Sequence, residues 1–178
     1  GDLTHIPAVV MTEPPEITLD SLAGSWRIYQ LRRGHRFSAD DLLTAWSAIQ
    51  ARPSAPSVLD LGAGIGSVGL LALWRLAPQA RLTMVEVQRV SHELARKTVA
   101  HNRLESRVSL RNMDLRAWPG GDYQLVTASP PYTPPGNGTR SAHPQKAAAR
   151  FELHGDVYDY CRTAARSLAV PFTRERVR

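Results

Sequence analysis

The spacing of apolar residues changes its period several times along the chain, and each change marks an element. Residues 1–24 are broken by prolines and mixed in character, so an irregular N-terminal segment is expected there, with a single domain over 25–178. Residues 25–31 (SWRIYQL) alternate like a half-buried strand, and Arg33-Gly34 supplies a turn. Ser38-Ala39-Asp40-Asp41 resembles a capping box; Leu42, Leu43, Trp46 and Ile49 then fall at helical spacing until Pro53 and Pro56 close the helix.

From residue 57 the chain alternates short apolar runs with longer helical patterns. Ser57–Leu61 predicts a strand, and the glycine-rich stretch 62–69 leads into a helix carrying Val68, Leu71 and Leu76 that stops at Pro78. Arg81–Val85 predicts a strand, 89–102 a helix, and 107–111 and 123–128 two more strands. Residues 155–169 predict a helix with Val157, Cys161, Ala164, Ala165 and Leu168 on one face. Strands alternating with helices imply an α/β fold, a doubly wound and mostly parallel sheet with crossover connections. A short hairpin and helix extend it at the N-terminus. Only residues 170–178 follow the last helix, so the C-terminal strands usual in such a sheet are expected to be missing.

Composition adds little to this picture. The chain has 178 residues, enough for one domain with a real core. Its lone cysteine, Cys161, cannot form an internal disulfide, which points to a reducing compartment and a cytoplasmic protein. No run approaches the roughly 18 apolar residues of a membrane span, and the N-terminal residues lack the apolar core of a secretion signal. The formal net charge of +6 suits an anionic partner such as nucleic acid. Codon bias is the competing explanation, since Lys97 and Lys146 are the only lysines among 22 basic residues.

The chemistry concentrates at strand ends. Gly64-Ile65-Gly66-Ser67-Val68-Gly69 satisfies G-x-G-x-x-G, and Glu86 ends the next strand, where an acid accepts ribose hydroxyls. Both features suit a dinucleotide and S-adenosylmethionine equally. Asp60 separates the two. Two residues before Gly62 and at the mouth of the loop, its carboxylate would repel a pyrophosphate and attract the ammonium and sulfonium of S-adenosylmethionine. Gly62, Ala63 and Gly64 would then line the cofactor. Asp114, with Leu115 beside it, follows the third strand, where an acid can accept a hydrogen bond from an adenine amino group.

Ser129-Pro130-Pro131-Tyr132 follows the fourth strand, at the sheet edge where open α/β folds bind ligands. An exocyclic amine on a base is a poor nucleophile because its lone pair is delocalised. The Ser129 hydroxyl and the Pro130 carbonyl could accept its two hydrogens and draw the nitrogen toward tetrahedral geometry. Proline supplies acceptors without a competing N–H, and Tyr132 offers a face on which a base can stack.

Together, Asp60–Gly66, Glu86, Asp114 and Ser129–Tyr132 resemble the class I S-adenosylmethionine-dependent methyltransferases, specifically the amino-methylating group with an (Asn/Asp/Ser)-Pro-Pro-(Tyr/Phe) signature. Residues 36–46 and 145–151 are similar to segments of the bacterial enzymes that methylate adenine in valine tRNA. The resemblance covers about residues 25–169. It implies a Rossmann-like fold, S-adenosylmethionine as cofactor, and transfer to an exocyclic amino nitrogen, with adenine N6 of tRNA foremost. The six histidines and one cysteine show no metal spacing, so no metal is expected. Basic residues flank the proposed site in sequence, Arg36 before it and Arg140, Lys146 and Arg150 after it; they are expected as phosphate contacts, with solvated surface charge as the alternative. Ser129 in place of the usual Asn is a departure. Two alternatives stay open: a glutamine methyltransferase of the release-factor type, and a degenerate relative that binds cofactor or RNA without turnover.

Overall fold

The computed structural model describes residues 13–130 and 154–169. Its sheet has the parallel order β5(Val108–Arg111)-β4(Arg81–Val85)-β3(Ser57–Leu61)-β6(Leu125–Ala128). A separate antiparallel hairpin pairs β1(Ile17–Ala23) with β2(Trp26–Leu31). The helices are α1(Ala39–Ala51), α2(Ser67–Arg75), α3(Arg89–His101) and α4(Val157–Ser167), with a short 3-10 turn at Leu115–Ala117.

The expected α/β fold with a parallel sheet is what forms, and β3 shows why. Val58, Leu59 and Leu61 are all fully buried, as a strand covered on both faces requires. Val58 packs into the larger core with residues of α1, α2 and α3. Leu59 and Leu61 pack on the opposite face with Val85, Leu115 and Trp118, over which α4 places Tyr160 and Ala164. The chain passes from β3 to β4 and β5 on one side, then returns to β6 on the other. That reversal opens a crevice at the carboxyl ends of β3 and β6.

Three expectations change. Part of the N-terminal segment expected to be irregular is strand β1; Pro14 and Pro15 precede this strand and do not interrupt it. On α1, Ala45 and Ile49 face the core, whereas Leu42, Leu43 and Trp46 are exposed. Small residues let α1 lie close to α2, which turns its larger side chains outward. On α4, Thr163 and Ser167 are the buried residues, and Val157, Cys161 and Ala165 are exposed. The inward hydroxyls are satisfied by carbonyls: Thr163 donates to Leu115 O at 3.2 Å and Ser167 to Thr163 O at 2.6 Å. Buried polar residues of this kind leave no trace in apolar periodicity.

The hairpin is fastened to α3 through side chains. Thr98 Oγ1 accepts from Tyr29 N–H at 2.9 Å, and Asn102 Oδ1 accepts from Arg27 N–H at 2.9 Å while its amide donates back to Arg27 O at 2.7 Å. These bonds cover the strand edge that β1 leaves open. Among the described residues, no helix is long and apolar enough to cross a membrane. Because Thr98 is fully buried, Thr98→Val keeps its shape and strands the Tyr29 N–H. Urea unfolding should show a loss of about 1–3 kcal/mol. An unchanged midpoint would mean that the hairpin docks by apolar contact alone.

Candidate active site

The site is built from four strand ends. The loop after β3 turns through positive φ at Gly62 (63°) and Gly64 (58°), a backbone path that a side chain would strain. Three of its amides are already committed. Ala63 N–H donates to Val85 O at 2.9 Å, Gly66 N–H to Ala63 O at 2.9 Å, and Gly64 N–H to the Glu86 carboxylate. Ile65, 1% exposed, packs among Ile28, Leu31 and Leu94, so the hairpin and α3 hold the loop from outside.

Asp60 lies elsewhere than its place in the sequence suggests. It was expected at the mouth of the loop, but it is 2% exposed beneath it. Oδ1 accepts from Thr127 Oγ1 of β6 at 3.0 Å, and Oδ2 accepts from Gly69 N–H of α2 at 3.0 Å. Side chains alternate across a strand, so Asp60 shares the face of Val58 and points at α2. Burial pushes its carboxyl up to about 7; the two hydrogen bonds oppose the shift, and the nearby Asp41 and Glu86 add to it. Asp60 therefore organises the floor of the site with both oxygens on protein donors.

Glu86 stands at the carboxyl end of β4, 6% exposed. Its Oε1 accepts from Gln88 N–H at 2.8 Å, and its Oε2 takes the Gly64 N–H. Burial raises its pKa, with the backbone donors pulling the other way. Asn112 secures this strand end by donating to Glu86 O at 2.8 Å and Val87 O at 3.0 Å. Asp114 caps the 3-10 turn by accepting from Arg116 N–H at 2.8 Å, and it pairs with the Arg116 guanidinium. That pairing holds its carboxyl below the usual range. Leu115 turns its side chain into the second core, 4% exposed.

Ala128 pairs with Leu61, so Ser129 and Pro130 begin one step beyond that pair, beside Gly62. Ser129 is exposed and Pro130 half-buried. Pro131, Tyr132, Arg140, Lys146 and Arg150 lie outside the described residues. Arg36, expected to contact phosphate, is committed to the hairpin: its guanidinium pairs with Asp20 at 3.0 Å and donates to Leu31 O at 2.9 Å and Thr18 Oγ1 at 3.1 Å.

The family model for the methyltransferase small domain matches residues 38–154, well over half of the chain. The chain belongs to this family. The tRNA1(Val) (adenine(37)-N6)-methyltransferase of Erwinia tasmaniensis is 29% identical over 113 residues, which cover 62% of this chain and 44% of the relative. The enzyme of the same name from Aeromonas hydrophila is 29% identical over 128 residues, covering 72% of this chain and 52% of the relative. The chain thus spans about half the length of the curated relatives it matches. A solved structure from Pyrococcus horikoshii, named as a candidate RNA methyltransferase, superposes with a TM-score of 0.54 at 14% identity over 76% of this chain and 58% of that one. At that identity the likeness concerns the fold.

Within this methyltransferase small domain, several residues at the site escaped the sequence reading. Thr127 is the register partner of Asp60. Asp41 accepts from Ser67 Oγ at 2.8 Å and so ties the start of α1 to the start of α2 beside the loop. His154 lies near enough to Glu86 and Asp114 for its charge to act on both. Tyr160 of α4 covers Gly62. A polar residue opposite Asp60 on the neighbouring strand was a usable signal for Thr127. The others come together only through tertiary packing. Among the described residues, no group of three or more His, Cys, Asp or Glu could hold a metal ion.

The raised pKa of Asp60 has a stability consequence. An unfolded aspartate ionises near pH 4, whereas the folded chain holds this proton up to about 7. The folded state binds more protons in that window, so stability falls as pH rises through it, and the loss is complete above about 7. Asp60→Asn keeps both hydrogen bonds, with its carbonyl facing Gly69 N–H and its amide facing Thr127 Oγ1. Thermal melts should show the variant gaining on the wild type from pH 5 to pH 8. A constant difference across that range would mean that Asp60 ionises freely in the fold.

Proposed function

We propose that this domain transfers a methyl group from S-adenosylmethionine to an exocyclic amino nitrogen, with adenine N6 in tRNA as the acceptor. The observation that carries the cofactor reading is the state of the glycine loop. A dinucleotide pyrophosphate needs free backbone N–H groups at such a loop. Here the amides of Ala63, Gly64 and Gly66 are bound to protein acceptors. The surroundings are acidic, with Asp41, Asp60 and Glu86 near one another. Anions are repelled from such a place, while an ammonium and a sulfonium are drawn to it.

The residues present fit that cofactor. A Cβ added at Gly64 would meet nothing within 4 Å, so the loop has open space beside Glu86. Glu86 would exchange its bond from Gly64 for the ribose hydroxyls. Asp114 and the backbone at Leu115 would face the adenine. The cofactor supplies an electrophilic methyl group. Ser129 Oγ and the Pro130 carbonyl would accept the two hydrogens of the acceptor amine and orient its nitrogen lone pair toward that methyl. Tyr132 would stack the base, and Arg140, Lys146 and Arg150 would meet phosphates. The tRNA acceptor is supported by the names of the Erwinia and Aeromonas relatives and by the Ser-Pro-Pro-Tyr signature.

Two measurements test this. Labelled methyl transfer should mark total tRNA in preference to total protein; labelling of protein alone would favour the glutamine methyltransferase alternative. S-adenosylhomocysteine should bind in a calorimeter where NAD does not. In that assay Glu86→Ala should cost about 1.5–3 kcal/mol of binding, the usual worth of a charge-assisted pair. Unchanged affinity would remove Glu86 from the cofactor site.

A further inference from the structure

The glycine loop is covered at one end and open at the other. A Cβ placed on Gly62 would overlap the phenol oxygen of Tyr160 and stand 3.0 Å from two of its ring carbons, whereas one placed on Gly64 would meet nothing within 4 Å. Tyr160 belongs to none of the sequence motifs. It reaches the loop from α4, across the second core where it packs with Leu61 and Ala164.

The charges of nearby carboxylates reach the phenol. Burial, followed by the charges of Glu86, Asp60 and Asp114, holds its proton on, so the group at the Gly62 end of the loop is neutral. A neutral hydroxyl leaves those charges uncompensated; a cation in its place would compensate them.

We propose that Tyr160 is a residue of the cofactor site: it occupies the Gly62 end of the loop in the free protein and is displaced when the cationic amino-acid end of S-adenosylmethionine arrives. This rests on the cofactor reading above. The way α4 is attached permits the movement. Among the described residues, its hydrogen bonds to other elements come from its C-terminal half and the residues just after it. Thr163 donates to Leu115 O and Arg166 to Trp118 O, Ser167 O accepts from Tyr123 N–H, and Ala169 N–H donates to Tyr123 O. Among the same residues the first turn, with Val157 and Tyr158 exposed, makes no such bond. The helix can pivot about its C-terminal half and withdraw Tyr160.

S-adenosylhomocysteine is the probe, followed by calorimetry for Kd and stopped-flow fluorescence for the association rate. A loop that is covered for a fraction of the time has its apparent affinity reduced by that fraction. If the covered form outweighs the open one about five to one, Tyr160→Ala should tighten binding about six-fold and speed association. Tyr160→Phe keeps the ring and should stay near the wild type. Tyr160→Leu serves if the alanine variant unfolds, since it keeps apolar volume against Ala164 and does not reach Gly62. A second measurement needs no ligand. Gly62→Ala should destabilise the wild type more than it destabilises a Tyr160→Ala background, because the collision exists only in the first. Weaker binding by Tyr160→Ala, or equal costs in the two backgrounds, overturns the displacement and leaves the cofactor reading intact. No binding by any variant or by the wild type overturns both.

Discussion

A single buried carboxylate joins the three elements on which the site depends. Asp60 is the one polar residue between Val58 and Leu61, in a strand covered on both faces. It accepts from Thr127 on the neighbouring strand and from Gly69 on the helix that follows the loop. A lone charge in this position would be prohibitive; a carboxyl with two donors and a pKa near 7 is tolerable. The bond from Gly69 ties the start of α2 to β3, and the bond from Thr127 ties the same carboxyl to β6 beside it. Gly69 allows the approach, since a Cβ there would come within 2.9 Å of Asp60 Oδ2.

The loop above Asp60 is held from three directions. Ile65 is pegged into the apolar contact between the hairpin and α3, the Ala63 amide is tied to β4, and Asp41 grips Ser67 from α1. The N-terminal hairpin thus has a place in the site without touching it. The same arrangement explains why the loop amides have little left to offer an anion. In a phosphate-binding loop the amides point outward and the acids stay away. Here the amides of Ala63, Gly64 and Gly66 are turned toward protein acceptors, Glu86 stands at the loop, and Asp60 lies beneath it.

Much of this was legible in the sequence because the signals were local. Ser57–Leu61 and Arg81–Val85 form strands as their apolar runs predict, and the glycine turn and the acid ending β4 follow from the βα pattern. The misreadings of the two helices share one cause. Sequence periodicity ranks residues by size and apolarity, while packing selects by fit. On α1 it chose Leu42, Leu43 and Trp46 over Ala45. On α4 it chose Val157 and Cys161 over Thr163 and Ser167, whose hydroxyls are buried because carbonyls wait for them. Arg36 was read as a phosphate contact and Asp114 as an acceptor for adenine or a turn residue; Arg36 pairs with Asp20 across the hairpin, and Asp114 caps a turn and pairs with Arg116 two residues on. Asp60 was singled out as a carboxylate at the mouth of the loop, and it lies beneath it with both oxygens on protein donors. Which way it faced depended on strand register, which a single sequence leaves open.

The charge of the molecule reverses between its whole and its centre. The chain carries a formal +6, yet Asp60, Glu86 and Asp114 all act on the phenol of Tyr160, and Asp41 acts on Asp60. Screening makes these two scales nearly independent. Within about 8–10 Å of the surface in physiological salt the exposed arginines set the field felt by a polyanion, while acids farther off in the crevice are screened from it. Within the crevice, low dielectric and short distance let the carboxylates dominate. The proposed reaction needs this division, because a cationic methyl donor and a polyanionic acceptor must meet at one place without competing for the same side chains. The pairing of Arg116 with Asp114 marks the boundary between the two regions, where a cation of the outer surface reaches an acid of the inner one.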